Sequence, residues 1–228
     1  MKKLALISLI TLASPIIANA GGWKTRVTND FTSTSNFTGW DFNVQALPTD
    51  YLIKDGYLEL KMLQTDKGGR VLSPPFQIEG TIKITIKHYM HQGDSNYPYY
   101  PSISLHDEHP LNYIAIDFQN LAAASYSINC SDADTPKIWN TTNNCVPKKF
   151  QSAITSSSLY DKWITTIIEY NPQNGVFKVD YDNDKKIDFN GVLKKQLRFI
   201  PTHVYFSTYG WYTGHFHRID FVKVESVN

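Results

Sequence analysis

Alternation of period two runs through most of the chain. In TIKITIKHYM, Thr81 to Met90, the residues Ile82, Ile84 and Ile86 fall on one side and Lys83, Thr85 and Lys87 on the other. Successive side chains of an extended strand point to opposite faces, so this pattern is that of a strand half buried. NYIAIDFQN, Asn112 to Asn120, repeats it, with Ile114, Ile116 and Phe118 on one face and Tyr113, Ala115, Asp117 and Gln119 on the other. Further strands are predicted over Tyr57–Met62, Ile103–Leu105, Trp163–Tyr170, Val176–Tyr181, Val204–Thr208 and Ile219–Val224. Turn-forming pairs punctuate them: Asp55-Gly56, Gly68-Gly69, Pro74-Pro75, Asn174-Gly175 and Asn190-Gly191. A short helix near Ser152–Lys162 is the one helical pattern longer than about two turns. Many short strands between turn signals predict an all-β sandwich or barrel. No internal repeat or low-complexity linker divides it.

The first twenty residues, MKKLALISLITLASPIIANA, follow another logic. Lys2 and Lys3 precede an apolar run from Leu4 to Ile17, and Ala18 and Ala20 give the small-x-small pattern of a cleaved signal peptide. The run is too short for a membrane span, and no cysteine stands at the cleavage point to carry a lipid. The expectation is a secreted protein, extracellular or periplasmic and bacterial in style, with 1–20 a signal peptide and 21–228 one β-sandwich domain. Lys and Arg number 22 against 21 Asp and Glu, and the mixed signs leave no basic patch for nucleic acid. In an oxidising compartment Cys130 and Cys145 are expected to pair. The closed segment of about fifteen residues would gain roughly 3 kcal/mol.

Candidate chemistry lies on the polar strand faces. His203, Tyr205, Ser207 and Tyr209 line one face of a strand, with Trp211 and Tyr212 just beyond it. Lys87, Tyr89 and His91 continue the polar face of the strand from Thr81. Ser104 and His106, then Tyr113, Asp117 and Gln119, come from the next strands. If these strands adjoin, rings can cover sugar C–H faces while carboxylate and amide groups satisfy hydroxyls. The ligand-binding candidates are Tyr89, His106, Asp117, Gln119, His203, Tyr205, Tyr209 and Trp211. The tyrosine-rich loop Gly93–Pro101 is a second recognition element. Of the pairs His88/His91, His106/His109 and His215/His217, only the last has a spacing that shares a strand face, and no metal ligand is assigned. Asp180-Tyr-Asp182-Asn-Asp184 imitates the start of a calcium loop, but Lys185 stands where an EF-hand needs Gly and Gly191 where it needs Glu. A hairpin turn explains it with less.

The order of several motifs carries a resemblance. NDFTSTSNFTGWDFNV precedes YLIKDGYLELKM; GGRVLSPPFQIEGTIKITIKH follows; then come WITTIIEYNPQNGVFKVDYDNDKKIDF and a closing HRIDFVKVES. In this order they resemble the concanavalin A-like lectin/glucanase superfamily, over most of the chain after residue 20. The resemblance implies a jelly-roll sandwich of two antiparallel sheets with one concave face. Glucanases of that superfamily carry Glu-Ile-Asp-Ile-Glu-Phe on the catalytic strand, with nucleophile and acid/base at its ends. Laid on YIAIDF, these positions hold Tyr113, Ala115 and Asp117, and one carboxylate cannot perform a two-carboxylate displacement. Polysaccharide lyases of the same general fold use a Tyr with a His, Arg or Asn at a concave cleft, but no block here resembles their signature strands. A structural calcium is common among the relatives and cannot be located from sequence; no other cofactor is implied.

The reading favoured is a secreted, non-catalytic, lectin-like protein that binds a polysaccharide or glycan on the concave sheet face. Two others stay open. One is a glycoside hydrolase or polysaccharide lyase with non-standard residues, drawing on acids such as Asp107, Glu108 and Asp117. The other is a laminin G-like module with a host protein as partner.

Overall fold

The computed structural model describes residues 22–33, 37–42, 51–64, 67–93, 99–108, 112–118, 127–131, 159–195, 198–210 and 213–227. Among them the chain forms strands and no α-helix. In chain order the strands are β1 Lys24–Asn29, β2 Tyr51–Lys54, β3 Tyr57–Gln64, β4 Lys67–Gly68, β5 Arg70–Leu72, β6 Ile82–Met90 and β7 Tyr99–His106. They continue as β8 Tyr113–Asp117, β9 Ser127–Ser131, β10 Trp163–Tyr170, β11 Val176–Asp180, β12 Phe189–Val192, β13 His203–Gly210 and β14 Phe216–Ser226. The short helix expected at Ser152–Lys162 falls largely outside the described residues; Leu159 to Lys162 form a turn.

Two antiparallel sheets result. One runs β12-β11-β10-β6-β14-β3-β2, with β1 added on β14 and β4 on β3; the other runs β5-β13-β7-β8-β9. β14 organises the first sheet. One edge pairs with β6, and the other pairs first with β3 through Phe216–Ile219 and then with β1 through Val222–Ser226. Its register on β6 shifts between Ile219 and Phe221. This bulge moves the buried set from His217 and Ile219 to Val222 and Val224, which keeps the apolar side inward along the whole strand.

The core fills the space between the sheets. Leu58, Leu60 and Met62 of β3, Ile82, Ile84 and Ile86 of β6, and Ile164 and Ile168 of β10 are buried. The other sheet contributes Val71, Ile103, Leu105, Ile114, Ile116, Val204 and Phe206. Each such side chain contributes about 1.5–3 kcal/mol on leaving water, and the alternation that places it inward leaves the intervening residues facing out. Those outward residues of the five-stranded sheet form the site described next.

Candidate functional site

Register decides which outward residues meet. β13 pairs with β7 so that His203 faces His106, Tyr205 faces Ser104 and Ser207 faces Ser102. β7 pairs with β8 so that His106 faces Tyr113, Ser104 faces Ala115 and Ser102 faces Asp117. On the far side of β13, Tyr205 faces Leu72 and Ser207 faces Arg70. Three rows therefore cross the outer face: His203–His106–Tyr113, Leu72–Tyr205–Ser104–Ala115, and Arg70–Ser207–Ser102–Asp117. The same parity that buries Val204, Ile103 and Ile114 beneath them turns these residues outward.

His106 sits at the middle of the first row. Its ring lies 5.1 Å from that of Tyr205 and 5.5 Å from that of Tyr113, and its Nε2 is 2.9 Å from Ser104 Oγ. Thr202 Oγ1 lies 2.8 Å from Nδ1 of His203. Asp107 at the strand end accepts a hydrogen bond from the Asn112 amide at 2.7 Å. Burial lowers the pKa of His106 to about 4, helped by the neighbouring His203 and opposed by Asp107. Burial also lowers that of His203, against the pull of Glu108 and Asp107. Tyr205 is pushed up to about 12 by burial, with Arg70 opposing, and Tyr113 is raised by burial and then by Asp117. At neutral pH the middle of the face is thus made of uncharged imidazoles, phenols and serine hydroxyls, with a cation and a carboxylate at opposite ends of the third row. Ser102, Ser104 and Ala115 are buried beneath their neighbours, while His106, His203, Tyr113, Tyr205, Arg70 and Asp117 are half-buried and offer donors, acceptors and ring faces together.

Of the predicted ligand-binding residues, the structure brings together His106, Asp117, His203 and Tyr205. Tyr209 continues β13 opposite Tyr100. Gln119 and Trp211 lie outside the described residues, as do Cys145 and most of the tyrosine-rich loop; Cys130 is on β9 opposite Ile114. Tyr89 is placed elsewhere. It projects from the nine-stranded sheet, stacks 6.1 Å from Phe216 and lies 5.7 Å from Trp163, and its hydroxyl donates to Asp161 at 3.2 Å. His91 lies beside it, with Nδ1 2.9 Å from the same carboxylate oxygen. Arg70 was not anticipated, because a strand of three residues is too short to show alternation; only the flanking Gly and the Arg-Val-Leu order hint at it.

His215 and His217 do share a side, but it is the inner one. His217 Nε2 lies 2.9 Å from His88 Nδ1, and both rings are sealed within the sandwich. The three positions at which a glucanase carries acids, Tyr113, Ala115 and Asp117, do occupy one face of β8 and present a single carboxylate.

No family model matches the sequence, and no curated protein sequence matches it. Solved structures do. The CBM2 module of the evolved Dit of Lactobacillus casei BL23 phage J-1 superposes with a TM-score of 0.64 at 10% identity, over 90% of this chain and 97% of that one. The carbohydrate recognition domain of Emp46p in its potassium-bound form gives 0.62 at 13% identity, over 89% and 98%. A laminarinase from Flavobacterium sp. UMI-01 gives 0.61 at 10% identity, over 88% and 99%. The fold is the concanavalin A-like jelly roll, as the order of sequence motifs implied. Among the described residues no helix is long and apolar enough to cross a membrane.

Proposed function

We propose that this protein binds carbohydrate, without cleaving it, on the outer face of the five-stranded sheet. The observation that carries the reading is the register of β13, β7 and β8, which sets Tyr205, His106 and Tyr113 as a ring cluster beside Ser104, Ser102, Asp117 and Arg70. Rings of this kind cover the C–H faces of a sugar, and the imidazoles, phenol hydroxyls and ions of the half-buried residues match its hydroxyl groups. The structurally similar proteins named above include a carbohydrate recognition domain and a laminarinase, which is consistent with a sugar ligand. A single carboxylate on β8 argues against a two-carboxylate hydrolysis. The ligand is a polysaccharide or glycan. Electrophoresis of the protein in native gels cast with a panel of polysaccharides tests the reading. Retardation by one polymer, reduced in Asp117→Asn and in Tyr113→Ala, supports it; free mobility in every gel overturns it.

A second reading is favoured by one specific contact set. Tyr205, its neighbour His106 and Arg70 provide a phenol, a neutral imidazole and a guanidinium on one face. A lyase acting on an acidic polysaccharide needs a cation against the uronate carboxylate, a base for the α-proton and an acid for the leaving oxygen. Appearance of ultraviolet-absorbing unsaturated ends during incubation with uronate polymers would replace the non-catalytic reading with this one.

The chain is further proposed to be exported, with residues 1–20 removed, residues 21–228 forming one domain and Cys130 joined to Cys145. The intact mass of the mature protein checks the cleavage and the disulfide. It should correspond to a chain starting at Gly21 and two hydrogens short; a full-length or fully reduced mass contradicts the proposal.

A further inference from the structure

Away from the sheet face, the described residues contain one group of acids close enough to share an ion: Asp180, Asp182 and Asp188, where β11 turns into β12. Each offers a carboxylate oxygen, and these oxygens all lie within 4.8 Å of one another. Two oxygens on opposite sides of a calcium ion, bound at about 2.4 Å, are that far apart, so one ion can touch all three. Acids gathered on a turn are commonplace, and a second observation distinguishes this group. Asp180 is 5% exposed. Its Oδ2 accepts the Lys185 N–H at 3.2 Å, while its Oδ1 is closed off from solvent with no hydrogen-bond donor. A buried carboxylate oxygen without a donor or cation is costly. Lys186 lies nearby, but its ion pair, at 3.0 Å, is with Asp184. Asp188 accepts the Tyr181 N–H at 2.7 Å. Burial raises its pKa, the Tyr181 hydrogen bond works against this, and the charges of Asp182, Asp180 and Asp184 raise it further.

We propose that Asp180, Asp182 and Asp188 form a binding site for a divalent cation of the calcium class. The donor set is entirely oxygen, which suits a hard cation and not a thiophilic one. Calcium fits better than magnesium, because three carboxylates on a turn supply many oxygens without the strict octahedron that magnesium requires. The site differs from an EF-hand in closing on Asp188 eight residues after its first ligand, so neither Lys185 nor Gly191 disqualifies it. Asp182 is exposed and gives the ion its entry from solvent. Tyr181, between two of the ligands, is buried with its ring 5.7 Å from Phe118, and its carbonyl accepts from Thr166 at 2.9 Å. An ion held here therefore tightens the turn against the core, and its binding reads out as stability. The proposal stands independently of the glycan reading.

The test uses the protein stripped with chelator and titrated with calcium chloride alone, by calorimetry and by thermal melting. The expected result is a saturable heat and a rise in Tm, with Asp182→Asn weakening calcium affinity at least tenfold and removing the rise. Asp182 is on the surface, so the variant should melt in chelator no lower than the parent; Asp182→Ser provides the same comparison should it not. Absence of saturable heat and of any Tm rise at about 10 mM calcium would overturn the proposal. An undiminished response in both Asp182 variants would overturn it equally, since the ion would then bind elsewhere.

Discussion

The buried histidine pair gives the sharpest quantitative expectation. Thr166 donates its hydroxyl proton to the Tyr181 carbonyl at 2.9 Å, so toward His88 Nε2, 2.8 Å away, its oxygen can only accept. His88 therefore carries its proton on Nε2 and presents a lone pair on Nδ1, which accepts the Nε2–H of His217 at 2.9 Å. Both rings are neutral in this chain of bonds, and Nδ1 of His217 holds a lone pair with no hydrogen-bond partner. An added proton would be a buried charge. Burial accordingly lowers the pKa of His217 to about 3, and burial followed by repulsion from His217 holds His88 well below the usual histidine range. The sign follows directly. Below about pH 6.5 the unfolded chain takes up protons that the folded protein refuses, so stability is complete above that pH and falls as the solution becomes more acid. For His217 alone, the interval from pH 7 to pH 5 costs about 2 kcal/mol, from roughly 1.4 pH units at 1.36 kcal/mol each. His88 adds to it in the same direction. Urea denaturation of the parent and of the double variant His88→Leu/His217→Leu, at pH 7 and pH 5, isolates the effect from that of His106. The double variant should lose at least about 2 kcal/mol less than the parent over this interval. Equal losses in the two proteins would refute the neutral, buried pair.

Two further substitutions test the packing of the sandwich. A Cβ at Gly68 would run into the carbonyl and hydroxyl oxygens of Thr208 and the sulfur of Met62, so Gly68→Ala should cost about 1–3 kcal/mol; an unchanged urea midpoint would show that β4 and β13 are not packed this closely. Glu59 is buried, receives Arg218 Nε at 2.6 Å and has Lys61 Nζ at 3.2 Å. Arg218→Ala leaves that carboxylate with one cation and removes the guanidinium from the Phe216 ring, 4.2 Å away. A loss of about 2–3 kcal/mol is expected, with less in Arg218→Lys, and similar stability in all three proteins would contradict the pairing.

Local alternation was readable from the sequence where strands are long and half buried. β10 has the bounds that its pattern predicts, and Tyr113, Ala115 and Asp117 share one face of β8 as expected. β7 was harder. It begins at Tyr99 and contains Pro101, inside a segment that reads as a rim loop, because proline normally excludes a residue from an inner strand. Pro101 is tolerated in register opposite Thr208, and its carbonyl accepts the Phe118 N–H at 2.9 Å. Sheet membership was not legible at all. The polar side of β6 looks chemically like that of β7, yet β6 pairs with β10 and β14 while β7 pairs with β8 and β13. Nothing local to Tyr89 records those pairings, so in sequence it is indistinguishable from a neighbour of His106. His88 and His217 sit 129 positions apart, and only the meeting of β6 with β14 brings them together.

The central claim is that the ligand lies on the outer face of the five-stranded sheet. Trp163 and Tyr57, exposed or half-exposed rings on the outer face of the other sheet, lie 5.9 Å apart and provide a natural control. The most direct measurement is the dissociation constant for the retarding polysaccharide in the parent protein, in Tyr113→Ala and in Trp163→Ala. The account predicts at least a tenfold weakening in Tyr113→Ala, about 1.4 kcal/mol or more, and an unchanged value in Trp163→Ala. Loss of affinity in Trp163→Ala with full binding in Tyr113→Ala would contradict it and move the site to the nine-stranded sheet.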